Sequence, residues 1–235
     1  MSTSTDIPQY KRDFLTACTN SSALSFGNFT LKSGRQSPYF FASGAFHRGS
    51  LLRAISTSFA QTIAQHTPAL EFDILFGPAY KGIPLAVATL DKLSEIEEKR
   101  FGHVSYSFNR KEAKTHGDAG MIVGASLQGK RVLIVDDVMT AGTAVREAVS
   151  IIESQGGKLA GIVVALDRME KAPAKEGESE DAPRKSTLGE VRERYGVPVV
   201  AVLTLDDIVE GFKQMGTEEE IKQLEEYRAK YKASD

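Results

Sequence analysis

The residues most clearly spaced for chemistry lie in "VLIVDDVMTAGTAVREA", positions 132–148. Four apolar residues end in two carboxylates, Asp136 and Asp137. Val138, Met139, Thr140, Ala141, Gly142, Thr143 and Ala144 follow and lead into a helical pattern. The order predicts a buried strand, a tight loop and a helix. Backbone N–H groups of a loop entering a helix converge on one spot, and the helix dipole adds partial positive charge there. Gly142 lets the backbone approach closely, and Thr140 and Thr143 add hydroxyl donors, so a terminal phosphate monoester suits this loop. The loop carries no lysine and matches neither G-x-x-x-x-G-K-[ST] nor G-x-G-x-x-G, which excludes a nucleotide P-loop and a dinucleotide fingerprint. An ionised aspartate only accepts hydrogen bonds, and vicinal sugar hydroxyls donate them. A ribose with its 5′-phosphate in the loop would lay its 2′- and 3′-hydroxyls toward Asp136 and Asp137. The same carboxylates would stabilise positive charge developing on the sugar ring.

These residues need a scaffold, and the chain is long enough for one. It has 235 residues, 41% hydrophobic and 26% charged, with a formal net charge of −2. That balance gives no argument for nucleic acid or an acidic membrane, so anion binding must come from local clusters. A single cysteine, Cys18, excludes an intrachain disulfide. The N-terminus lacks a signal-type apolar core, and no apolar run nears the ~20 residues of a membrane span. A soluble cytoplasmic protein is expected. Helical periodicity marks residues 7–18 (with Tyr10, Phe14 and Leu15 inward), 49–67, 83–92 and 143–157. Short β-rich runs mark 72–77, 103–108, 121–125, 131–135, 159–167 and 197–205. Strands alternating with helices predict an α/β fold with a parallel, doubly wound sheet. Residues 109–120, "NRKEAKTHGDAG", have almost no apolar content and read as an exposed mobile loop. Residues 170–187 are charged, with hardly a large apolar side chain, and read as a flexible surface insertion. The tail "TEEEIKQLEEYRAKYKA" reads as a plain surface helix whose charges complement its dipole.

The first stretch resembles the phosphoribosyl-pyrophosphate signature of the type I phosphoribosyltransferases. The resemblance implies a type I phosphoribosyltransferase fold: a central, mostly parallel sheet flanked by helices, with a small N-terminal hood mainly from 20–45, in a single domain spanning 1–235. It also implies that the acidic pair meets the ribose hydroxyls and that 140–144 hold the 5′-phosphate, with Val138 and Met139 adjoining. In "FGPAYKGIPLA", Tyr80, Lys81 and Gly82 resemble the family's pyrophosphate loop, where Lys81 adds a cation. The segment 109–120 resembles the closing lid of the orotate phosphoribosyltransferases, which covers the neighbouring subunit's site in a homodimer. Its Arg110, Lys111, Lys114 and His116 would contact pyrophosphate, with Lys114 leading in leaving-group stabilisation. "LKSGRQSPYFFASGAF" resembles the same enzymes' N-terminal segment: Lys32 would reach phosphoribosyl pyrophosphate, and Phe40 and Phe41 would bring ring and backbone to a flat pyrimidine, beside Thr140. Arg168 would bind the carboxylate of orotate with two parallel hydrogen bonds. Mg²⁺ would bridge substrate oxygens and water without a direct protein ligand. Asp137 and Lys81 join Lys111 and Lys114 as candidate catalytic groups.

The match runs over about 24–205 in four ordered segments, and the insertion after Arg168 departs from it. The phosphate motif by itself leaves the base open. A purine phosphoribosyltransferase would share "DDVMTAGTA" without requiring Arg168 or Lys32 to Phe41. A ligand-sensing regulator on the same fold would bind the ribose donor without catalysis. Such a regulator commonly carries a nucleic-acid-binding surface, and neither a strongly basic domain nor a helix-turn-helix pattern is present. Fusion to a decarboxylase fails because too few residues follow 205 for a second barrel.

Overall fold

The computed structural model describes residues 7–31, 33–66, 68–114, 120–139, 142–174, 177, 179 and 182–235, without the side chains of 113 and 114. Six strands form one sheet: β3 (Ile74–Phe76), β4 (Ser105–Lys114), β5 (Gly120–Gly124), β6 (Arg131–Val138), β7 (Lys158–Asp167) and β8 (Val199–Thr204), in the order β5-β4-β3-β6-β7-β8. Neighbours from β4 to β8 pair in parallel, and β5 alone runs antiparallel, on β4. Before the sheet come helix α1 (Gln9–Asn20), an antiparallel hairpin of β1 (Leu24–Thr30) and β2 (Gln36–Phe41), and helix α2 (Gly49–Gln65). Helices α3 (Gly82–Ile96) and the short α4 (Glu98–Phe101) join β3 to β4. Helix α5 (Thr143–Ser154) joins β6 to β7, and α6 (Thr187–Tyr195) precedes β8. Helices α7 (Leu205–Met215) and α8 (Glu218–Tyr231) close the chain.

Strand side chains alternate between faces, so a sheet covered on both sides needs apolar residues at every position. In β6, Val132, Leu133, Ile134 and Val135 are all fully buried. Leu133 and Val135 join one core with Phe59 and Ile63 of α2 and Ile208 and Phe212 of α7. Val132 and Ile134 join the other, with Val149 and Ile152 of α5 and Leu188 and Val191 of α6. The result is the expected α/β sandwich, with one strand reversed at its edge.

Chain order places the site. The path runs from β3 outward to β4, returns across β3, and continues on its other side through β6. Ligands in open α/β sheets bind at such a reversal, beyond the carboxyl ends of the strands. Here the reversal lies between β3 and β6, so the loop at 77–82 and the end of β6 at 136–139 flank it.

Two expectations need correction. Residues 109–114 are strand, the end of β4, and not irregular loop. Backbone pairing with β5 needs no apolar side chain: Asn109 pairs with Ile122 and Lys114 with Gly120, with a shift of register between them. Helix α8 is also not a plain surface helix. Its Leu224 is fully buried and Tyr227 nearly so, in the core of α1, α2 and α7. Two residues a turn apart suffice to dock a helix whose remaining faces are charged. The segment 170–187 is anchored at both ends: Lys171 N–H donates to Tyr231 O at 2.8 Å and Ala172 N–H to Lys185 O at 2.9 Å.

Candidate active site

Glycine shapes the loop after β3. A Cβ on Gly77 would run into the Gly82 carbonyl, and one on Gly82 would lie 2.7 Å from Pro78 Cδ. The two ends of "GPAYKG" therefore pack backbone against backbone, which only glycine permits. The Ala79–Tyr80 peptide is cis. Ala79 N–H donates to Asn109 Oδ1 at 3.0 Å, which ties this loop to β4. Tyr80 is 71% exposed at the loop's tip. Lys81 reaches across the reversal: Nζ lies 3.2 Å from Asp137 Oδ2 and 3.0 Å from Ser43 Oγ. The lysine expected to meet a leaving anion is thus held by a carboxylate at the end of β6.

At the end of β6, Asp136 Oδ1 accepts from Asp137 N–H at 2.9 Å, and Asp137 Oδ1 accepts from Val138 N–H at 2.7 Å. Burial, reinforced by the Asp137 charge, pushes the Asp136 carboxyl up to about 6. Val138 packs partly on one core and Met139 is buried in the other, so these two anchor the loop with their side chains and leave only backbone for a ligand. Thr140 and Ala141 lie outside the described residues. Gly142 caps α5 with φ 68°, in the left-handed region. Thr143 and Ala144 are exposed on the first turn. Arg146, which the sequence reading passed over, donates to Thr143 Oγ1 at 3.2 Å and adds a cation beside the loop. Its one-turn spacing from Gly142 was the available signal.

In the hairpin, Phe40 and Phe41 point to opposite faces, as neighbours on a strand must. Phe40 is 44% exposed and stacks on Phe29 at 5.6 Å. Phe41 is buried against Phe46 at 5.7 Å. Only the ring of Phe40 faces outward, so Phe41 can offer a ligand its backbone alone. Lys32 and His116 lie outside the described residues, as does the Lys114 side chain. Arg110 donates to Gly120 O at 3.4 Å, and Lys111 is exposed.

Arg168 stands just past β7, surrounded by partners. Nε donates to Glu170 Oε1 at 2.6 Å, and Nη2 donates to Ser37 Oγ at 3.0 Å and Tyr227 OH at 3.2 Å. Its Cζ lies 4.2 Å over the Tyr39 ring. The expected pair of parallel bonds to a ligand carboxylate cannot use the Nε–Nη2 edge, because the chain's own groups occupy it. Sequence reading missed Glu170, Ser37 and Tyr227, which come from three separate elements. A cleft of about 1010 Å³ lies between the hairpin turn and α8. It shares Ser37 and Tyr227 with Arg168, and among the described residues neither Lys81 nor Asp137 lines it.

Among the described residues, no group of three or more His, Cys, Asp and Glu could hold a metal ion, and no helix is long and apolar enough to cross a membrane.

The comparisons agree on a family. Residues 44–182 match the family model described as the phosphoribosyl transferase domain. A protein of Neurospora crassa named orotate phosphoribosyltransferase is 58% identical over 228 residues, covering 96% of this chain and 97% of that one. One of the same name from Schizosaccharomyces pombe is 47% identical, covering 95% and 99%. The crystal structure of orotate phosphoribosyltransferase from Francisella tularensis superposes with a TM-score of 0.79 at 38% identity, covering 94% of this chain and 99% of that one. A switch-point site built from these two loops, relatives of one name matched along almost their whole length, and a shared fold together place this chain in the phosphoribosyl transferase family, among the orotate phosphoribosyltransferases.

Proposed function

We propose that this chain transfers the 5-phosphoribosyl group from phosphoribosyl pyrophosphate to orotate, giving orotidine 5′-monophosphate and pyrophosphate in de novo pyrimidine synthesis. The observation that carries the reading is the Lys81–Asp137 contact, which joins the loop after β3 to the end of β6 at the sheet's reversal. It gives a cation for the leaving group beside a carboxylate for the sugar.

The 5′-phosphate sits at 140–144, where Gly142 and the start of α5 direct N–H groups outward. Asp136 and Asp137 accept from the ribose hydroxyls. The bond from the anomeric carbon to pyrophosphate breaks with its electron pair leaving on pyrophosphate, and the sugar becomes oxocarbenium-like. The orotate ring nitrogen, its proton lost to solvent before the site closes, forms the new bond from the opposite face. The acidic pair stabilises the positive sugar, while Lys81, with Tyr80 beside it, receives the leaving anion. Arg110, Lys111, Lys114 and His116 form the closing lid, which excludes water from the activated sugar. Lys32 reaches the phosphoribosyl donor. Phe40 and the Phe41 backbone hold the pyrimidine next to Thr140, and Arg168 receives the orotate carboxylate.

Mg²⁺ suits this donor set. Two carboxylates at the end of β6 fit an ion that keeps water and substrate oxygens as its main ligands. Asp136 and Asp137 would accept from its waters. When bound, the ion neutralises pyrophosphate charge. We further assign the protein to the cytoplasm, as a homodimer in which each lid covers the other subunit's site, with no nucleic-acid or membrane partner.

The test is pyrophosphate release with phosphoribosyl pyrophosphate and Mg²⁺, offering orotate, adenine, hypoxanthine or uracil. Release with orotate and near-silence with the others is expected. Release with a purine in place of orotate would overturn the reading.

A further inference from the structure

The segment after β7 is laced down by the end of the chain. Ala233 N–H donates to Met169 O at 3.1 Å, Lys171 N–H donates to Tyr231 O, and Glu170 pairs with Lys232 in a β-bridge. Met169 takes φ 53°, a conformation costly for a side chain of its size, which persists only where its surroundings fix it. That turn brings Arg168 and Glu170 side by side. Glu170 Oε1 accepts from Arg168 Nε at 2.6 Å and from Tyr227 OH at 2.7 Å, and the same Tyr227 oxygen accepts from Arg168 Nη2. The three side chains form a closed ring of hydrogen bonds. Ser37 takes the second Nη2 hydrogen, and Tyr39, fully buried, supports the face of the guanidinium.

A guanidinium held by one edge and one face cannot turn. Among the described residues, Nη1 is the nitrogen of Arg168 with no hydrogen bond. We infer that Tyr227 of α8 and Glu170 are positioning residues that clamp Arg168 and present Nη1 to the carboxylate of the incoming base, so that base choice is set in part by the C-terminal helix. This rests on the assignment of Arg168 to the orotate carboxylate. Orienting the arginine during folding removes that cost from binding, the usual gain from preorganisation. Glu170, whose other oxygen lies 3.5 Å from Arg35 Nη1, also supplies the counter-charge of this part-buried arginine. Burial, helped by the Glu170 charge, pushes the Tyr227 hydroxyl up to about 12, so it stays protonated and remains a donor to Glu170 over the working range.

The experiment compares Tyr227→Phe, Glu170→Gln and Arg168→Ala with the unaltered enzyme. Tyr227→Phe keeps the ring, which packs edge-on to Tyr39 at 6.0 Å, and removes only the hydroxyl. It should raise the KM for orotate roughly tenfold, the weight of a hydrogen bond to a charged group. The kcat, the KM for phosphoribosyl pyrophosphate and the inhibition constant of uracil, which lacks the carboxylate, should each stay within about twofold of the unaltered enzyme. Glu170→Gln should shift orotate in the same direction. If Arg168→Ala raises the KM for orotate and Tyr227→Phe does not, the clamp is overturned and the base site stands. If Arg168→Ala leaves orotate unaffected, the base-site assignment itself fails. If Tyr227→Phe weakens orotate, uracil and phosphoribosyl pyrophosphate alike, its role is structural only and the clamp is overturned.

Discussion

Asp136 sets stability against function. Its carboxyl, raised from 3.8 to about 6 by burial and then by Asp137, binds its proton more tightly in the folded chain than in the unfolded one. A group shifted that way adds stability below its unfolded value and loses it as pH rises through the folded value. The window is therefore about pH 4 to 6, and a displacement of that size corresponds to up to about 3 kcal/mol. Asp136→Asn should accordingly be more stable than the unaltered protein at pH 8 and nearly equal at pH 4, measured by urea unfolding at both. Function should run the other way. A protonated Asp136 is a poorer acceptor for ribose hydroxyls, so the KM for phosphoribosyl pyrophosphate should rise as pH falls below about 6. Asp136→Asn should show weak activity without that pH dependence. A pH profile identical in both proteins would exclude Asp136 from the donor site.

The elements that matter most are the two loops and the last helix. Gly142 sits at φ 68°, where a Cβ would lie 3.0 Å from Arg146 Nη1 and 3.3 Å from Thr187 Cγ2. Gly142→Ala should cost roughly 1–2 kcal/mol in stability from the left-handed backbone alone. It should also weaken phosphoribosyl pyrophosphate more than orotate, because the phosphate loop is what shifts. Comparing the two KM values checks this. Helix α8 starts with a capping box between Thr217 and Glu220, but local capping does not dock a helix. Leu224, fully buried, does that. Leu224→Ala should cost about 2–5 kcal/mol, and thermal unfolding should show it as a clear fall in Tm. By loosening Tyr227 it should also raise the KM for orotate. A lost Tm with untouched orotate binding would separate α8 from the base site.

At the scale of the whole molecule, the prediction concerns pairing of subunits. If each lid serves the neighbouring site of a homodimer, a Lys114→Ala subunit keeps an intact acidic pair, and an Asp136→Asn subunit keeps an intact lid. Mixed dimers would then hold one complete site of two. Random pairing of the two impaired proteins should raise activity to roughly a quarter of normal, since half the dimers are mixed. Activity no higher than the sum of the separate variants would show that each lid serves its own subunit. The same scale explains the reach of Lys81. Its partner Asp137 is 56 residues away in the chain, and the two meet because β3 and β6 are neighbours in the sheet.

The sequence by itself determined the class of the sheet and the place of the strand end that carries Asp136 and Asp137, and it nominated the candidate site residues. Those signals are local: four apolar residues before Asp136, glycine at a position needing positive φ, and cations gathered within a few residues. Residues 109–114 escaped that reading because a strand held by backbone pairing to β5 leaves no mark in hydropathy. Tyr227, Glu170 and Ser37 escaped it because each looks ordinary in its own stretch. Only the tertiary structure decided that a helix marked by charge would bury a tyrosine, and that a carboxylate two residues past Arg168 would take one edge of its guanidinium. Such contacts depend on which elements the packing brings together across long separations, and a side chain's partner at that distance is not written in its neighbours.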